Sequence, residues 1–230
     1  MSRLSLGGGP RSPSVGCLAA LPGGSRVAFG GDGRDVAVLD TATLAVVSRA
    51  KPPAPDWLRL AVRVCVASAA FLPSSPECVA VGGDGCVRVF DFRSERRAVA
   101  TAPTGDGLVA ALAIAPDGRT AFAGTTRGAL LAVDLSSGRI AGALKGAGGA
   151  LRCAAAHPHA PLLAVTGLDK HVRVFCTATR KQLAAVYVKQ AGVGVAWLNE
   201  REQPEAAAGE ATAGEAPGDS APKKRMRSKP

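Results

Sequence analysis

The chain has 230 residues, of which 47% are hydrophobic but only 4% aromatic, and it carries 28 glycines and a net charge of +10. Its apolar mass is mainly Ala and Val, which suits short strands and tight turns rather than large helices. No uncharged apolar run approaches the ~18 residues of a membrane-spanning helix, so no membrane partner is expected.

Residues 1–14 are rich in Ser, Gly and Pro and read as a disordered leader. The segment VGCLAAL (15–21) then reads as a strand, followed by a Pro-Gly-Gly turn and the hairpin VAFGGDGRDVAVLD (27–40). TLAVVSRA (43–50) supplies an outer strand. KPPAPDWLRL (51–60) is an insertion, because Pro52, Pro53 and Pro55 exclude a regular helix or central strand. Trp57 is expected to anchor that loop. The pattern returns with VRVCVASAAFL (62–72), a turn over Pro73–Pro76, and VAVGGDGCVRVFD (79–91). LVAALAIA (108–115), a turn at Pro116-Asp117-Gly118, and TAFAGTTRGALLAVD (120–134) form a third unit. A fourth comprises ALRCAAAHP (150–158), a turn at His159–Pro161, LLAVTGLDKHVRVFC (162–176) and the outer strand QLAAVYV (182–188). VGVAWL (193–198) reads as a lone strand that pairs with another unit. Residues 199–222 shift to Glu, Ala, Gly and Pro and read as a disordered spacer, ending in the basic cluster KKRMRSK (223–229).

The four units are internal repeats. Asp40, Asp91, Asp134 and Cys176 end equivalent strands at spacings of 51, 43 and 42 residues. A period of about 40–45 residues with a strand-ending aromatic-Asp pair is the signature of WD-repeat blades. The expected fold is therefore all-β: an incomplete WD40-type β-propeller of about four blades over residues 15–198, followed by a disordered C-terminal tail over 199–230. Asp32, Asp84 and Asp169 fall in the hairpin turns and read as structural, holding the turn through hydrogen bonds. The third repeat has Arg127 at that place, and no repeat shows the Gly-His pair that usually partners the turn acid.

No residue pattern points to catalysis. His157, His159 and His171 stand in no evident relation to a carboxylate or Cys. The repeated Gly-Gly-Asp-Gly lacks the Lys-Ser/Thr and the helix of a phosphate loop, and sits between strands where Gly permits positive φ. Six cysteines lie mostly in apolar runs without metal-site spacing. No enzyme activity, cofactor, metal or small-molecule substrate is expected.

Charge is the remaining signal. Residues 199–230 carry six acids and six bases, so the whole excess lies in residues 1–198, with 22 Lys/Arg against 12 Asp/Glu. Such a body attracts a polyanion, of which nucleic acid is the obvious one, and a solvated basic surface is the alternative. Arg88 and Arg173 hold the same register in repeats two and four, and Lys170, Arg180 and Lys181 lie near Arg173 in sequence. Together they form a candidate basic rim for RNA phosphates or a partner. In the tail, Lys223, Lys224, Arg225 and Arg227 fit the pattern of a nuclear localisation signal.

GLDKHVRVF, KQLAAVYVKQ (181–190), the DWLRL insertion and LKGAGGALRCAAAHPHAPLLA (144–164) together resemble the WD repeat-containing protein 74 family. The likeness spans roughly residues 30–198 and is most specific in the fourth repeat. It implies a non-enzymatic scaffold of the nucleus and nucleolus, acting in pre-rRNA processing and assembly of the large (60S) ribosomal subunit. Its implied partners are the pre-60S particle, other assembly factors and an AAA-type ATPase, with pre-rRNA as a further contact. A generic WD40 adaptor, such as a ubiquitin-ligase substrate receptor, is the alternative. The family's ring has seven blades, so four visible blades imply an open arc with the N-terminal blades missing. An end blade of such an arc leaves one face uncovered.

Overall fold

The computed structural model describes residues 14–53 and 64–198. All but the last residue of the predicted leader, the insertion from residue 54 onward with Trp57, and the tail with Lys223, Lys224, Arg225 and Arg227 lie outside the described residues. Those described fall in the compact unit ending at Trp197, and Leu198 begins the next.

Every regular element among the described residues is a β-strand. In the first repeat β1 (Cys17–Ala20), β2 (Arg26–Gly31), β3 (Arg34–Asp40) and β4 (Val46–Arg49) form an antiparallel sheet in chain order. A six-stranded sheet follows, made of β5 (Val66–Leu72), β6 (Ser75–Asp91), β7 (Ala98–Ile114), β8 (Thr120–Thr125), β9 (Leu130–Asp134) and β10 (Arg139–Ala143). The last sheet contains β11 (Leu151–Ala156), β12 (Leu162–Gly167), β13 (His171–Cys176) and β14 (Gln182–Tyr187).

The six-stranded sheet is two repeats run together. β6 doubles back at Asp84-Gly85: Gly85 takes φ +63°, and the Phe92 amide donates to the Glu77 carbonyl at 3.2 Å. β7 likewise has two arms. One pairs with β6 from Cys86↔Pro103 to Phe90↔Ala98, and the other pairs with β8 from Val109↔Thr125 to Ile114↔Ala121. Gly105 and Gly107, at φ +84° and +110°, turn the chain between the arms. The inner strand expected at 108–115 is this second arm. The first arm and β10 are outer strands that sequence reading does not assign, because Pro103 and Gly142 interrupt their patterns.

Three buried clusters fill the seams between consecutive repeats. Ala28, Val36, Val38, Val66, Phe71, Val79 and Phe90 join repeats one and two. Ala80, Val87, Val109, Leu112 and Val133 join two and three, and Phe122, Leu130, Leu151, Leu163 and Phe175 join three and four. The inner strands are Ala-rich because they converge. A glycine in each second strand admits the next inner strand: a Cβ at Gly30, Gly82 or Gly124 would meet Val66 at 2.6 Å, Val109 at 2.7 Å or Leu151 at 3.0 Å.

The fourth repeat has Thr166 at that position, since Cys153 pairs with Thr166 as Ser68 pairs with Gly82. What faces Thr166 is Gly192, where a Cβ would lie 2.0 Å from its hydroxyl. The size pattern of the seam is inverted, and residues 191–197 stand where a fifth inner strand would stand. Thr166, against Gly192, is 1% exposed. The strand expected at 193–198 is not formed: residues 191–198 have no regular structure. Side chains rather than a ladder hold them, chiefly the Trp197 indole N–H, which donates to the Ala155 carbonyl at 2.9 Å.

β1 packs on β5, β5 on β7 and β7 on β11, and the described residues show no comparable packing of β11 on β1. The fold is an incomplete WD40-type β-propeller of four repeats. β14 is exposed along its whole length.

Candidate partner-binding surface

Each hairpin turn is tied to the start of an inner strand. Asp32 makes a bridge to Cys65, and the Gly33 amide donates to Val64 at 2.8 Å. Asp84 pairs with Leu108. Leu168 donates to Ala150 at 2.9 Å. Asp32 and Asp84 have exposed side chains. Asp169 differs: its carboxylate takes an ion pair from Arg173 and accepts from the His171 amide at 3.4 Å.

The residues grouped as one basic rim are not brought together. Arg173 is only 15% exposed at its side chain, and its guanidinium is held on Asp169. Lys170 immediately precedes β13, while Arg180 and Lys181 lie beyond its other end, roughly 20 Å away for six residues of strand. Arg180 donates to the Ala141 carbonyl at 3.0 Å, on the third repeat. Arg88 lies in repeat two, opposite Thr101 in the ladder. Register placed Arg88 and Arg173 alike, but proximity in sequence misleads across a strand.

The strand-ending acids have a clear task. Asp40 accepts from the Ala42 and Thr43 amides at 2.8 and 3.1 Å. Asp91 accepts from the Arg93 amide at 3.0 Å and from its guanidinium at 2.9 Å. Asp134 accepts from the Ser136 amide at 3.0 Å. Each carboxylate closes the turn into the outer strand, which is why the period is legible. These bonds hold all three carboxyls below the usual range, with Asp91 at about 2. Cys176 fills the place in the fourth repeat, and hydrogen bonds from Thr179 and Ala178 lower its thiol.

The inner strands line two cavities. One of about 520 Å³ is bounded by Asp32, Cys65, Leu108, Arg152, Leu168 and Gly192. The other, about 830 Å³, lies between the β1 and β11 ends and is walled by Leu18, Phe71, Ile114, His157 and Val195. His157 is a turn residue there. Its Nδ1 accepts from the His159 and Ala160 amides at 3.1 and 2.9 Å, and its ring meets Trp197 edge-on at 4.9 Å. Among the described residues no group of His, Cys, Asp and Glu is placed to hold a metal ion.

This geometry can be set against known proteins. Residues 138–176, from the turn before β10 to the end of β13, match the family "WD domain, G-beta repeat". The chain is 41% identical over 127 residues to WD repeat-containing protein 74 of Bos taurus, covering 55% of this chain and 33% of that protein. The chain thus carries a match to one WD repeat and is similar to WD repeat-containing protein 74 over about half of its own length. The Homo sapiens relative is 40% identical over 129 residues, 56% of this chain and 34% of its own length. The "Ribosome biogenesis protein nsa1" of Schizosaccharomyces pombe is 29% identical over 118 residues, 51% of this chain and 30% of that protein. The match thus covers about a third of the length of these relatives.

Two features of this WD-repeat chain escaped sequence reading. The Gly192–Thr166 contact gives no local signal, because it depends on a seam. A small cavity of about 200 Å³ between repeats one and two gathers Lys51, Arg88 and Arg97, residues up to 46 positions apart. Only the strand pairing brings them together.

Proposed function

We propose that this chain is a non-enzymatic WD-repeat scaffold in ribosome biogenesis, acting in the nucleolus on assembly of the large subunit and on pre-rRNA processing. The observation that carries the reading is the likeness to a protein named for ribosome biogenesis, beside roughly 40% identity to WD repeat-containing protein 74. Among the described residues the repeats offer packed seams and turn networks, which fits a protein that holds others in place. Its proposed partners are the pre-60S particle, neighbouring assembly factors and, by family resemblance, an AAA-type ATPase. Lys223, Lys224, Arg225 and Arg227 are the proposed nuclear import cluster.

Copurification tests the reading. The tagged full chain should recover large-subunit assembly factors and precursor rRNA, and its depletion should cause large-subunit rRNA precursors to accumulate. Recovery of ubiquitin-ligase subunits without ribosomal precursors would replace this reading with the adaptor one. Changing Lys224, Arg225 and Arg227 to Ala should shift the protein from nucleus to cytoplasm by microscopy, and unchanged nuclear accumulation would remove the cluster from the proposal.

A further inference from the structure

The seam between the first two repeats concentrates positive charge. β7 begins beside the end of repeat one: the Lys51 amide donates to the Arg96 carbonyl at 2.7 Å, and Arg96 Nε donates to the Arg49 carbonyl at 2.9 Å. This stitch sets Arg49, Lys51, Arg96 and Arg97 around one junction, all with exposed side chains. Below them Arg88 and Phe90 sit directly opposite Thr101 and Ala98 in the ladder. The cavity of about 200 Å³ is lined by Lys51, Pro53, Arg88, Phe90, Arg97, Ala98 and Thr101. Its floor is the buried Phe90, 2% exposed.

Among the described residues Lys51, Arg88 and Arg97 form no ion pair. Asp35 is the carboxylate whose field reaches Arg88, and Glu95 is the acid in the adjoining turn. Arg88 also reaches the Cys86 thiol. Among the described residues, two acids thus stand against five cations at this junction. Like charges crowded over an apolar floor repel, and an anion relieves that repulsion.

We propose that this seam binds the phosphate backbone of single-stranded RNA, with one phosphate seated among Lys51, Arg88 and Arg97 and its neighbours on Arg49 and Arg96. Four of the five cations are arginines, whose planar fork fits phosphate oxygens bidentately. The cations outside the cavity favour a polyanion over a lone phosphate. A peptide docking by strand addition would need free backbone groups, and here the Lys51 amide and the Arg49 and Arg96 carbonyls are already bonded to each other's strands. The site deepens the ribosome-biogenesis reading and rests on it.

Anisotropy with a labelled 20-nucleotide single-stranded RNA and the full chain tests this directly. Lys51→Gln with Arg97→Gln should weaken binding on the order of tenfold near 0.1 M salt, and should reduce the log–log salt slope by about 1.4, at roughly 0.7 per lost phosphate contact. Arg88→Gln should act in the same direction. Because Arg88 is half-buried, the exposed pair carries the test if that variant unfolds by thermal melting. Arg180→Gln with Lys181→Gln, at the far end of β13, should leave both affinity and slope unchanged. An unchanged slope in the Lys51/Arg97 variant overturns the proposal. So does binding of a phosphopeptide or inorganic phosphate that RNA does not displace. Should the seam variant bind RNA normally yet the wild-type chain still copurify with large-subunit precursors, the site falls and the scaffold reading stands.

Discussion

Repeats two and four carry the same local pattern and resolve it differently. Asp84-Gly85-Cys86-Val87-Arg88-Val89-Phe90 and Asp169-Lys170-His171-Val172-Arg173-Val174-Phe175 share the acid, the arginine and the buried phenylalanine. Both turns place their second residue in the left-handed region, Gly85 at φ +63° and Lys170 at φ +60°. Both phenylalanines are buried, at 2% and 0% exposure. Yet Arg173 is bound to its own turn acid, while Asp84 is exposed and Arg88 turns to a cavity shared with repeat one. The neighbour decides. Repeat one offers Asp35 to Arg88, whereas repeat three offers no turn acid to Arg173, its own turn carrying Arg127. A local motif fixes where an arginine stands, and the adjoining repeat fixes what it binds.

The seams should show the largest difference between the two repeats. Gly82→Val places a methyl-bearing side chain 2.2 Å from the Ser68 hydroxyl and 2.7 Å from the Val109 carbonyl. Backbone cannot yield there, so a loss of about 3 kcal/mol or more is expected by denaturant unfolding. Thr166→Val at the equivalent place in repeat four should cost about 1 kcal/mol, the worth of one hydrogen bond, because among the described residues the hydroxyl makes one long bond, 3.4 Å to the His171 carbonyl. Gly192→Val should release residues 191–197. Combining it with Thr166→Gly restores the size order of the other seams and should recover part of the loss. Strict additivity in that double-mutant cycle would mean Gly192 does not cap the repeat.

The ion pair gives the next effect. Asp169→Asn leaves the Arg173 guanidinium without its countercharge at 15% exposure. A fully buried pair broken this way costs about 3–5 kcal/mol, and residual solvent screening brings the expectation to about 2 kcal/mol. Asp84→Asn should stay within about 0.5 kcal/mol, as for an ordinary surface change. Equal losses from the two substitutions would abolish the contrast between the repeats.

How far these features were legible follows from their range. The four hairpins and the strand-ending Asp40, Asp91 and Asp134 are local, so the period and the incomplete propeller could be read directly. The outer arm of β7 was hidden by Pro103, and β10 by Gly142, although both residues sit in strands here. The lone strand at 193–198 was misread because VGVAWL has the right residues but meets a face instead of an edge. The basic rim is dispersed for another reason: Lys170 and Arg180 are near in sequence and a strand apart in space. Conversely Lys51 and Arg97 are far in sequence and share a cavity, which only inter-repeat packing reveals.

The smallest expected effect separates the repeats by pH. Asp91 closes the outer turn of repeat two with its carboxyl lowered to about 2, chiefly by the Arg93 guanidinium and then by the Arg93 amide. A depressed carboxyl contributes stability that is complete above the unfolded value near 4 and is lost as pH falls through about 2. Cys176 does the same work in repeat four, and its thiol is lowered by the Thr179 hydroxyl and the Thr179 and Ala178 amides. The sign is the same but the window is alkaline: its contribution is complete above the unfolded thiol value of about 8.5 and fades below its folded one. Melting temperature should therefore fall between about pH 4 and 2 in the native chain, and Asp91→Asn should flatten that slope while leaving the alkaline side unchanged. Cys176→Ser should flatten a shallow rise near pH 8 and leave the acid limb intact. Both groups are solvent-accessible, so the shifts in melting temperature will be modest. An acid limb unaltered by Asp91→Asn would show that the strand-ending acids mark the repeat without holding its turn.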